Sequence, residues 1–327
     1  MDDIRSFINE NGKVWSVDTA MKLVQMYSPL HQAQIDGYKS TIEVRKGNKY
    51  GPDPRNRVDV YYPKARSSSL APVIVYFHGG GFTLGDNDLT PPGNEGVEST
   101  IYGNIAYYFS SRGYVSCLAT YRLVGQTAKF PSGPEDIAAA LTWVQANISS
   151  YGGDPSQVVA LGQSAGGTHL GNAVFMGLLG SDKSTSLIRG AALLSAPLGM
   201  YCNKPDRLSV LSEYFNTPHT WELEERFSTN AIFRQAYFGD LTSKPRQDLP
   251  CKLLVVMAEM ELDEVAYGNL EFMKLFRDRT DRFPPLHILK GHNHVSYVMG
   301  LGLEKKNEDE DDFGSVTLRF IRGCTMA

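Results

Sequence analysis

The stretch with the clearest chemical potential is Gly162-Gln163-Ser164-Ala165-Gly166, in which a serine lies between two glycines. Apolar residues 158–161 run straight into it, and a run of small residues that opens into an apolar segment follows. This order predicts a strand, a sharp turn and a helix, the context in which Gly-x-Ser-x-Gly presents a nucleophile. Glycines on either side permit the turn, because a Cβ there would collide across it. Ser164 is therefore the candidate nucleophile, at the positive end of a helix.

A second glycine-rich segment, His78-Gly79-Gly80-Gly81-Phe82, directly follows the apolar run 73–77. An attacking serine needs donors aimed at the oxyanion that forms on the substrate. Glycines let the backbone turn its N–H groups toward a ligand without side-chain collision. We therefore expect the amides of Gly79 and Gly80, with that of Ala165 after the nucleophile, to form an oxyanion hole. His78 comes too early in the chain to be the base and is expected to brace the loop.

Ser164 also needs a base, and the base needs an acid that orients it. Gly291-His292-Asn293-His294 follows the last predicted strand, and His294 is the expected base because a Gly-x-x-His turn can reach back over Ser164. His292 is the alternative base, or a residue of the pocket wall. The acid should follow the strand predicted at 251–258, where Glu261 is the first choice and Asp263 its competitor. Serine, acid and histidine then occur in the chain order expected of a strand–turn–helix nucleophile.

The elements that must position these residues alternate between strands and helices. Residues 41–46 and 57–62 alternate in polarity and predict an antiparallel pair at a sheet edge. The run 73–77 is apolar throughout, which is typical of a parallel strand buried on both faces. Further strands are predicted at 115–120, 158–162, 190–195, 251–258 and 286–290, and helices at 102–111, 133–148, 268–277 and 314–321. The pattern predicts an α/β fold with a mostly parallel sheet, helices on both faces, and a site beyond the carboxyl ends of the strands.

Residues 198–250 interrupt this alternation with many aromatic residues and no convincing strand. They are too many for a bare loop, so we interpret them as a helical insertion across the strand ends. As a lid it would line an apolar pocket with Phe82, Tyr214, Trp221 and His292; the alternative is a helical pair with its own small core. Residues 1–40, with apolar residues at helical spacing over 14–27, are expected to join this cap or form a surface helix. Residues 41–197 and 251–327 would then form the catalytic core.

Hydrophobic content, net charge and cysteine usage limit the classes of protein to which the chain can belong. A chain of 327 residues with 42% hydrophobic content can bury one large core, and a net charge of −4 without a Lys/Arg cluster argues against nucleic acid as the main partner. The start of the chain has neither a basic segment nor a long apolar run, so we expect no secretory signal and no membrane span. Four scattered cysteines favour a reduced, cytoplasmic protein, with Cys117 and Cys251 as buried thiols. No metal-ligand cluster is evident, and a homodimer stays open.

These motifs resemble the α/β-hydrolase superfamily and, within it, the hormone-sensitive-lipase-like esterases. The signature stands as His78-Gly79-Gly80-Gly81 and as Gly162 to Gly167, and Tyr121-Arg122-Leu123, Phe130-Pro131 and Gly152-Gly153-Asp154-Pro155 are similar landmarks. The resemblance covers roughly residues 41–321. It implies a cap built from the N-terminal segment and the 198–250 insertion. It also implies hydrolysis of short or medium acyl esters by an acyl-enzyme mechanism without a cofactor.

The sequence departs from that family at the acid. Family members usually carry Asp before Pro, whereas here Glu261 is followed by Leu262. Glutamate can serve in such a triad, although its extra methylene requires a shifted backbone. The ending from Gly291 to His294 is also similar to that of kynurenine-formamidase-like hydrolases and some fungal hydrolases.

Three alternatives to a simple ester substrate therefore stay open. The first is an aryl formamide or lactone, and the second is a pathway intermediate that the triad cyclises or condenses. The third is a ligand-binding protein on a hydrolase scaffold. The aromatic-rich insertion favours a bulky apolar substrate in the first two.

Overall fold

The computed structural model describes residues 1–12, 16–65, 67–89, 101–200, 205–239, 248–303 and 312–325. Val14, where the helical pattern of the N-terminal segment begins, lies outside these ranges. So do residues 201–204 and 240–247 of the predicted insertion.

One eight-stranded sheet forms the centre of the molecule. Its strands are β1 (Ile42–Lys49), β2 (Arg57–Pro63), β3 (Ala71–Phe77), β4 (Val115–Ala119), β5 (Gly153–Gln163), β6 (Gly190–Leu194), β7 (Lys252–Met260) and β8 (Leu286–Asn293). They lie in the order β1-β2-β4-β3-β5-β6-β7-β8. The strand β2 pairs antiparallel with β1 and β4, and all other neighbours are parallel. The predicted α/β class, mostly parallel sheet and antiparallel edge pair are confirmed.

Helices cover both faces of this sheet. They are α1 (Asp2–Asn11), α2 (Val17–Thr41), α3 (Gly103–Ser110), α4 (Ser132–Asn147), α5 (Ala165–Met176), α6 (Pro205–Phe215), α7 (Thr220–Glu222), α8 (Thr229–Phe238), α9 (Asp263–Thr280), α10 (Ser296–Met299) and α11 (Phe313–Thr325). A π-helical turn, Leu223–Phe227, continues α7.

The apolar run of β3 explains why both faces are covered. Val73, Val75 and Phe77 lie in a buried cluster with residues of α4, α5, α8 and α9. The intervening Ile74 and Tyr76 lie in the opposite cluster, with residues of α1, α2, α3 and α11. Because successive side chains of a strand point to opposite faces, a strand that is apolar at every position needs a layer on each side.

The described part of the 198–250 interval is helical, with α6, α7 and α8. Its aromatic residues divide between two clusters. Tyr214 and Phe215 join a small cluster that includes Phe82 and Ala165, whereas Phe233 and Tyr237 of α8 pack into the core beside α5. The interval therefore contacts both the core beside the sheet and the loop after β3.

Candidate active site

Four segments that the sequence singled out begin at the end of a strand. His78 follows β3, Ser164 follows β5, Glu261 follows β7 and His294 follows β8. These four strands are parallel, so their carboxyl ends meet at one edge of the sheet. The fold thereby brings together residues that are far apart in the sequence.

The turn at Ser164 has a strained backbone. Ser164 has φ 51° and ψ −120° and directly precedes α5. A Cβ on Gly162 would lie 2.6 Å from the Gly166 oxygen, and one on Gly166 would lie 2.4 Å from the His78 oxygen. Any larger residue at either glycine would collide with backbone, so the two glycines are what permit this turn.

His294 joins the serine to an acid. Its Nε2 lies 2.8 Å from Ser164 Oγ, and its Nδ1 lies 2.5 Å from Glu261 Oε1. The side chains of His294 and Glu261 are each only 4% exposed. A neutral imidazole that donates from Nδ1 to the carboxylate has a free lone pair on Nε2, which can accept the serine proton.

Glu261 is held as a carboxylate. Burial raises the pKa of Glu261, but the adjacent His294 and hydrogen bonds from His294, Ser195 and the Leu262 amide outweigh it, so the pKa is lowered. The hydroxyl of Tyr297 donates to Ser195 Oγ at 2.9 Å. Ser195 itself has a left-handed backbone, φ 45°, directly after β6. Ser195 and Tyr297 therefore connect the Glu261 carboxylate to a network of buried hydrogen bonds.

The two competing candidates lie elsewhere. Asp263 is exposed at the start of α9. The Nδ1 of His292 lies 3.0 Å from Ser296 Oγ. Of the acids and histidines that the sequence offered, Glu261 and His294 are the ones that meet at Ser164.

The glycine loop after β3 lies against the nucleophile. A Cβ on Gly79 would be 3.2 Å from Ser164 Cβ and 2.0 Å from Gln163 Oε1. Burial raises the pKa of Tyr102, and a hydrogen bond from the Gly79 amide partly offsets this. The Gly79 amide, one of the expected oxyanion donors, is therefore engaged with Tyr102.

The amides of Gly80, Gly81 and Ala165 are not engaged in this way. None of them donates a hydrogen bond within the described ranges. Gly80 and Gly81 have φ of 129° and 61°, conformations that favour glycine. The amide of Ala165 is the first of α5 and has no partner inside the helix. Gly81, which sequence reasoning left out, thus joins Gly80 and Ala165 as a candidate donor.

His78 supports the glycine loop through contacts of its buried ring. Its ring stacks on Tyr121 with centroids 4.5 Å apart, and its Nδ1 lies 2.6 Å from the Gly79 oxygen. Burial lowers the pKa of His78 to about 4, so the ring is neutral at pH 7. It is suited to bracing the loop rather than to carrying charge.

The predicted pocket residues separate into two groups. Phe82 and Tyr214 are both 1% exposed, and their rings stack with centroids 5.4 Å apart. Trp221, in contrast, is 60% exposed and stacks on His219. Phe82 and Tyr214 therefore form an apolar layer next to the glycine loop, and Trp221 lies apart from it.

A solved structure of esterase B from Lactobacillus rhamnosis superposes on this chain with a TM-score of 0.65. The superposition covers 100% of this chain and 97% of that one, at 15% sequence identity. The central sheet, the strand-end site and this superposition agree on one fold. The chain has the α/β-hydrolase fold.

Sequence comparisons find similarity between this chain and esterases. The BD-FAE family profile matches residues 58–207, somewhat less than half of the chain. Carboxylesterase NlhH of Mycobacterium tuberculosis is 38% identical over 110 residues, 34% of this chain and 30% of the relative. Fumonisin B1 esterase of Sphingopyxis macrogoltabida is 28% identical over 268 residues, 74% of this chain and 46% of the relative. The matches thus span less than half the length of these curated relatives.

Across the described ranges, no helix combines the length and apolar character needed to cross a membrane. In the same ranges, no group of His, Cys, Asp and Glu side chains is arranged to hold a metal ion.

Sequence reasoning missed two residues behind the acid, Ser195 and Tyr297. Ser195 directly follows a strand, which is a signal for a site residue in this fold. Tyr297 lies three residues beyond His294 in α10, and nothing in its sequence neighbourhood indicated its contact with Ser195.

Proposed function

We propose that this α/β-hydrolase is a carboxylesterase-type serine hydrolase in which Ser164, His294 and Glu261 form the catalytic triad. The observation that carries the proposal is the position of the His294 ring, 2.8 Å from Ser164 Oγ and 2.5 Å from Glu261 Oε1. The esterase relatives support an ester as substrate. The contact of the Gly79 amide with Tyr102 supports Gly80, Gly81 and Ala165 as the oxyanion donors, with Gly81 in place of Gly79.

The reaction proceeds in two acyl-transfer steps. His294 Nε2 takes the Ser164 proton while Oγ attacks the ester carbonyl carbon, and the amides hold the oxyanion. His294 then gives the proton to the leaving alcohol, which leaves an acyl-serine. Water, deprotonated by His294, attacks this acyl group and releases the acid. Glu261 keeps the imidazole oriented and stabilises it while it carries the proton.

We also propose that the helical insertion acts as the cap of this site and that α1 and α2 complete it from the other side. The contact between Tyr214 and Phe82 supports the first part. A hydrogen bond between His31 Nε2 and the Met299 oxygen, 2.6 Å long, ties α2 to the helix that follows His294 and supports the second. An apolar layer of this kind suits a short or medium acyl chain or a bulkier apolar group.

The proposed setting is the cytoplasm, because Cys117, Cys251 and Cys324 are unpaired thiols and reducing compartments keep thiols in that state. Two of them, Cys117 and Cys251, are buried as predicted. A homodimer stays a prediction that light scattering after size-exclusion chromatography would test.

A fluorophosphonate probe and a panel of p-nitrophenyl esters test the function. The wild-type protein should be labelled at Ser164 and should hydrolyse at least one ester. Ser164→Ala should abolish labelling and lower kcat by about 10³-fold or more. Ser150→Ala, at an exposed serine, is the matched control and should retain both. Folded wild-type protein that is neither labelled nor active would instead indicate a ligand-binding protein on this scaffold.

A further inference from the structure

Arg207, in the first turn of α6, places a positive charge beside the glycine loop. Its Nη1 donates to the Gly81 oxygen at 3.2 Å, and its guanidinium carbon lies 5.1 Å from the centre of the Phe82 ring. The charge is thus next to the amides proposed as oxyanion donors. Nothing in the triad chemistry requires a cation at this point.

Most donors of this guanidinium have no acceptor among the residues that the structure describes. An arginine has five N–H donors, and the bond to Gly81 is the one hydrogen bond that Arg207 makes within the described ranges. Its Nε is buried without a hydrogen-bond partner there, and the side chain is only 18% exposed. The nearest carboxylate oxygen, Glu264 Oε2, is 3.7 Å from Nε, which is beyond hydrogen-bond length.

Arg122 is an arginine with a structural role, and its Nε and Nη2 donors have acceptors within the chain. Its guanidinium makes bonds of 2.7 to 3.1 Å to both oxygens of Asp136. In the described part of the chain, Arg207 has no such fork-to-carboxylate partner. Buried donors without acceptors are costly and rare. The buried Nε of Arg207, with the other donors that have no acceptor among the described residues, is therefore suited to an anionic ligand.

We infer that Arg207 binds a carboxylate carried by the ester substrate. The inference rests on the proposed esterase function and deepens it, because it gives the substrate a charge. A guanidinium matches a carboxylate in two parallel hydrogen bonds, and the bond to Gly81 ties that recognition to the loop that holds the reacting carbonyl. The substrate is then an ester whose acyl or alcohol part bears a carboxylate.

Glu264 provides a second test, in which the preference for an anionic ester should change in the opposite direction. Its carboxylate is near the same guanidinium and competes with an anionic ligand for the positive charge. Removing that charge should strengthen the preference for an anionic ester, whereas removing the charge of Arg207 should weaken it. A residue that merely connects α6 to the loop would not give opposite effects.

Two pairs of esters, matched in length, measure the preference. Monomethyl adipate against methyl hexanoate places the charge on the acyl side, and 4-acetoxybutanoate against butyl acetate places it on the alcohol side. The quantity is the ratio of kcat/KM for the charged ester to that for the neutral one. We expect the ratio in one pair to fall about tenfold or more in Arg207→Gln, to fall less in Arg207→Lys, and to rise in Glu264→Gln.

Arg226→Gln is the matched control. It removes the same charge from the same insertion, but Arg226 is 60% exposed and pairs with Glu222. A fall in the ratio as large as that of Arg207→Gln would mean that only long-range charge matters and would overturn the inference. Equal losses on both esters in Arg207→Gln would also overturn it, because they indicate a connecting role.

The proposed function fails separately from this inference. If the wild-type protein hydrolyses no ester and the fluorophosphonate does not label Ser164, the esterase function itself is wrong. If Ser164 is labelled and esters are hydrolysed but the ratio does not respond to Arg207 or Glu264, only the substrate charge is wrong. If Arg207→Gln does not fold, Arg207→Lys and Glu264→Gln still test whether Arg207 binds the carboxylate, because they are expected to change the ratio in opposite directions.

Discussion

Glu261 and Asp263 are two positions apart and lie in different surroundings. The side chain of Glu261 is 4% exposed against His294, whereas Asp263 is exposed on α9. We predict that Glu261→Gln lowers kcat by about 10³- to 10⁴-fold, because an uncharged amide does not stabilise the imidazolium. Asp263→Asn, the matched control, should change kcat by no more than about twofold. Steady-state kinetics on one p-nitrophenyl ester measures both, and equal losses would exclude Glu261 as the triad acid.

The sequence left these two acids unresolved for a physical reason. The predicted helix began at 268, which placed both carboxylates in one loop after β7. In the structure α9 begins at Asp263, so the acidic residues 263 and 264 form its first turn, where negative charge is favourable. Asp263 is thereby directed to the helix surface, and Glu261 stays in the turn at the strand end. Because α9 begins five residues earlier than predicted, Glu261 and not Asp263 reaches His294.

At the scale of elements, the glycine loop after β3 depends on conformations that other residues avoid. Gly80 has φ +129°, and a Cβ on it would lie 2.0 Å from the Leu84 oxygen. Gly80→Ala should therefore move the proposed oxyanion amides, and kcat should fall about 10²- to 10³-fold, the typical cost of losing one such donor.

Gly113→Ala is the control for the backbone strain alone. Gly113 has φ +87°, but a Cβ on it would meet nothing within 4 Å. It should cost about 1–2 kcal/mol of unfolding free energy while kcat is retained. Kinetics and urea unfolding on both variants separate the two effects. A Gly80→Ala enzyme that keeps kcat would remove this loop from the proposed oxyanion hole.

The glycine loop shows which features can be predicted from the sequence and which cannot. The run of residues 73–77 and the glycines after it predicted the strand, the turn and their closeness to Ser164, because polarity and glycine content report burial and backbone freedom. Which amide faces the site depends on neighbours that are distant in sequence. The Gly79 amide is engaged by Tyr102, and that contact has no sequence signal.

For the molecule as a whole, the predictable part was the sheet and the residues at its strand ends, since both follow from local polarity and chain order. The insertion was expected to cross that edge, but its individual polar contacts there were not predictable. Arg207 is placed at Gly81 by the path of α6 across the site, and neither residue indicates the other in the sequence. The residues that would select a substrate therefore came only from the structure.

Buried histidines make the stability of the whole fold depend on pH. Burial lowers the pKa of His78 to about 4. Burial, with a smaller contribution from His78, lowers the pKa of His169 to about 3, against an ordinary value of 6.5. Below about pH 6.5 the unfolded chain therefore binds protons that the folded chain does not, and the free energy of unfolding falls as pH falls. Asp59 and Glu224 oppose this trend, because burial raises the pKa of each.

His169 allows this pH dependence to be tested. The ring is 1% exposed against Phe82 and Tyr121, and its Nδ1 has no hydrogen-bond partner within the described ranges. One such histidine contributes a slope of about 1.4 kcal/mol per pH unit between its two pKa values. His169→Gln, which does not titrate, should reduce the slope of unfolding free energy by about that amount between about pH 6 and pH 4.5, as measured by urea unfolding. His219→Gln, at an exposed ring, should keep the wild-type slope. An unchanged slope in His169→Gln would mean that the folded protein accepts a proton at this ring as readily as the unfolded chain does.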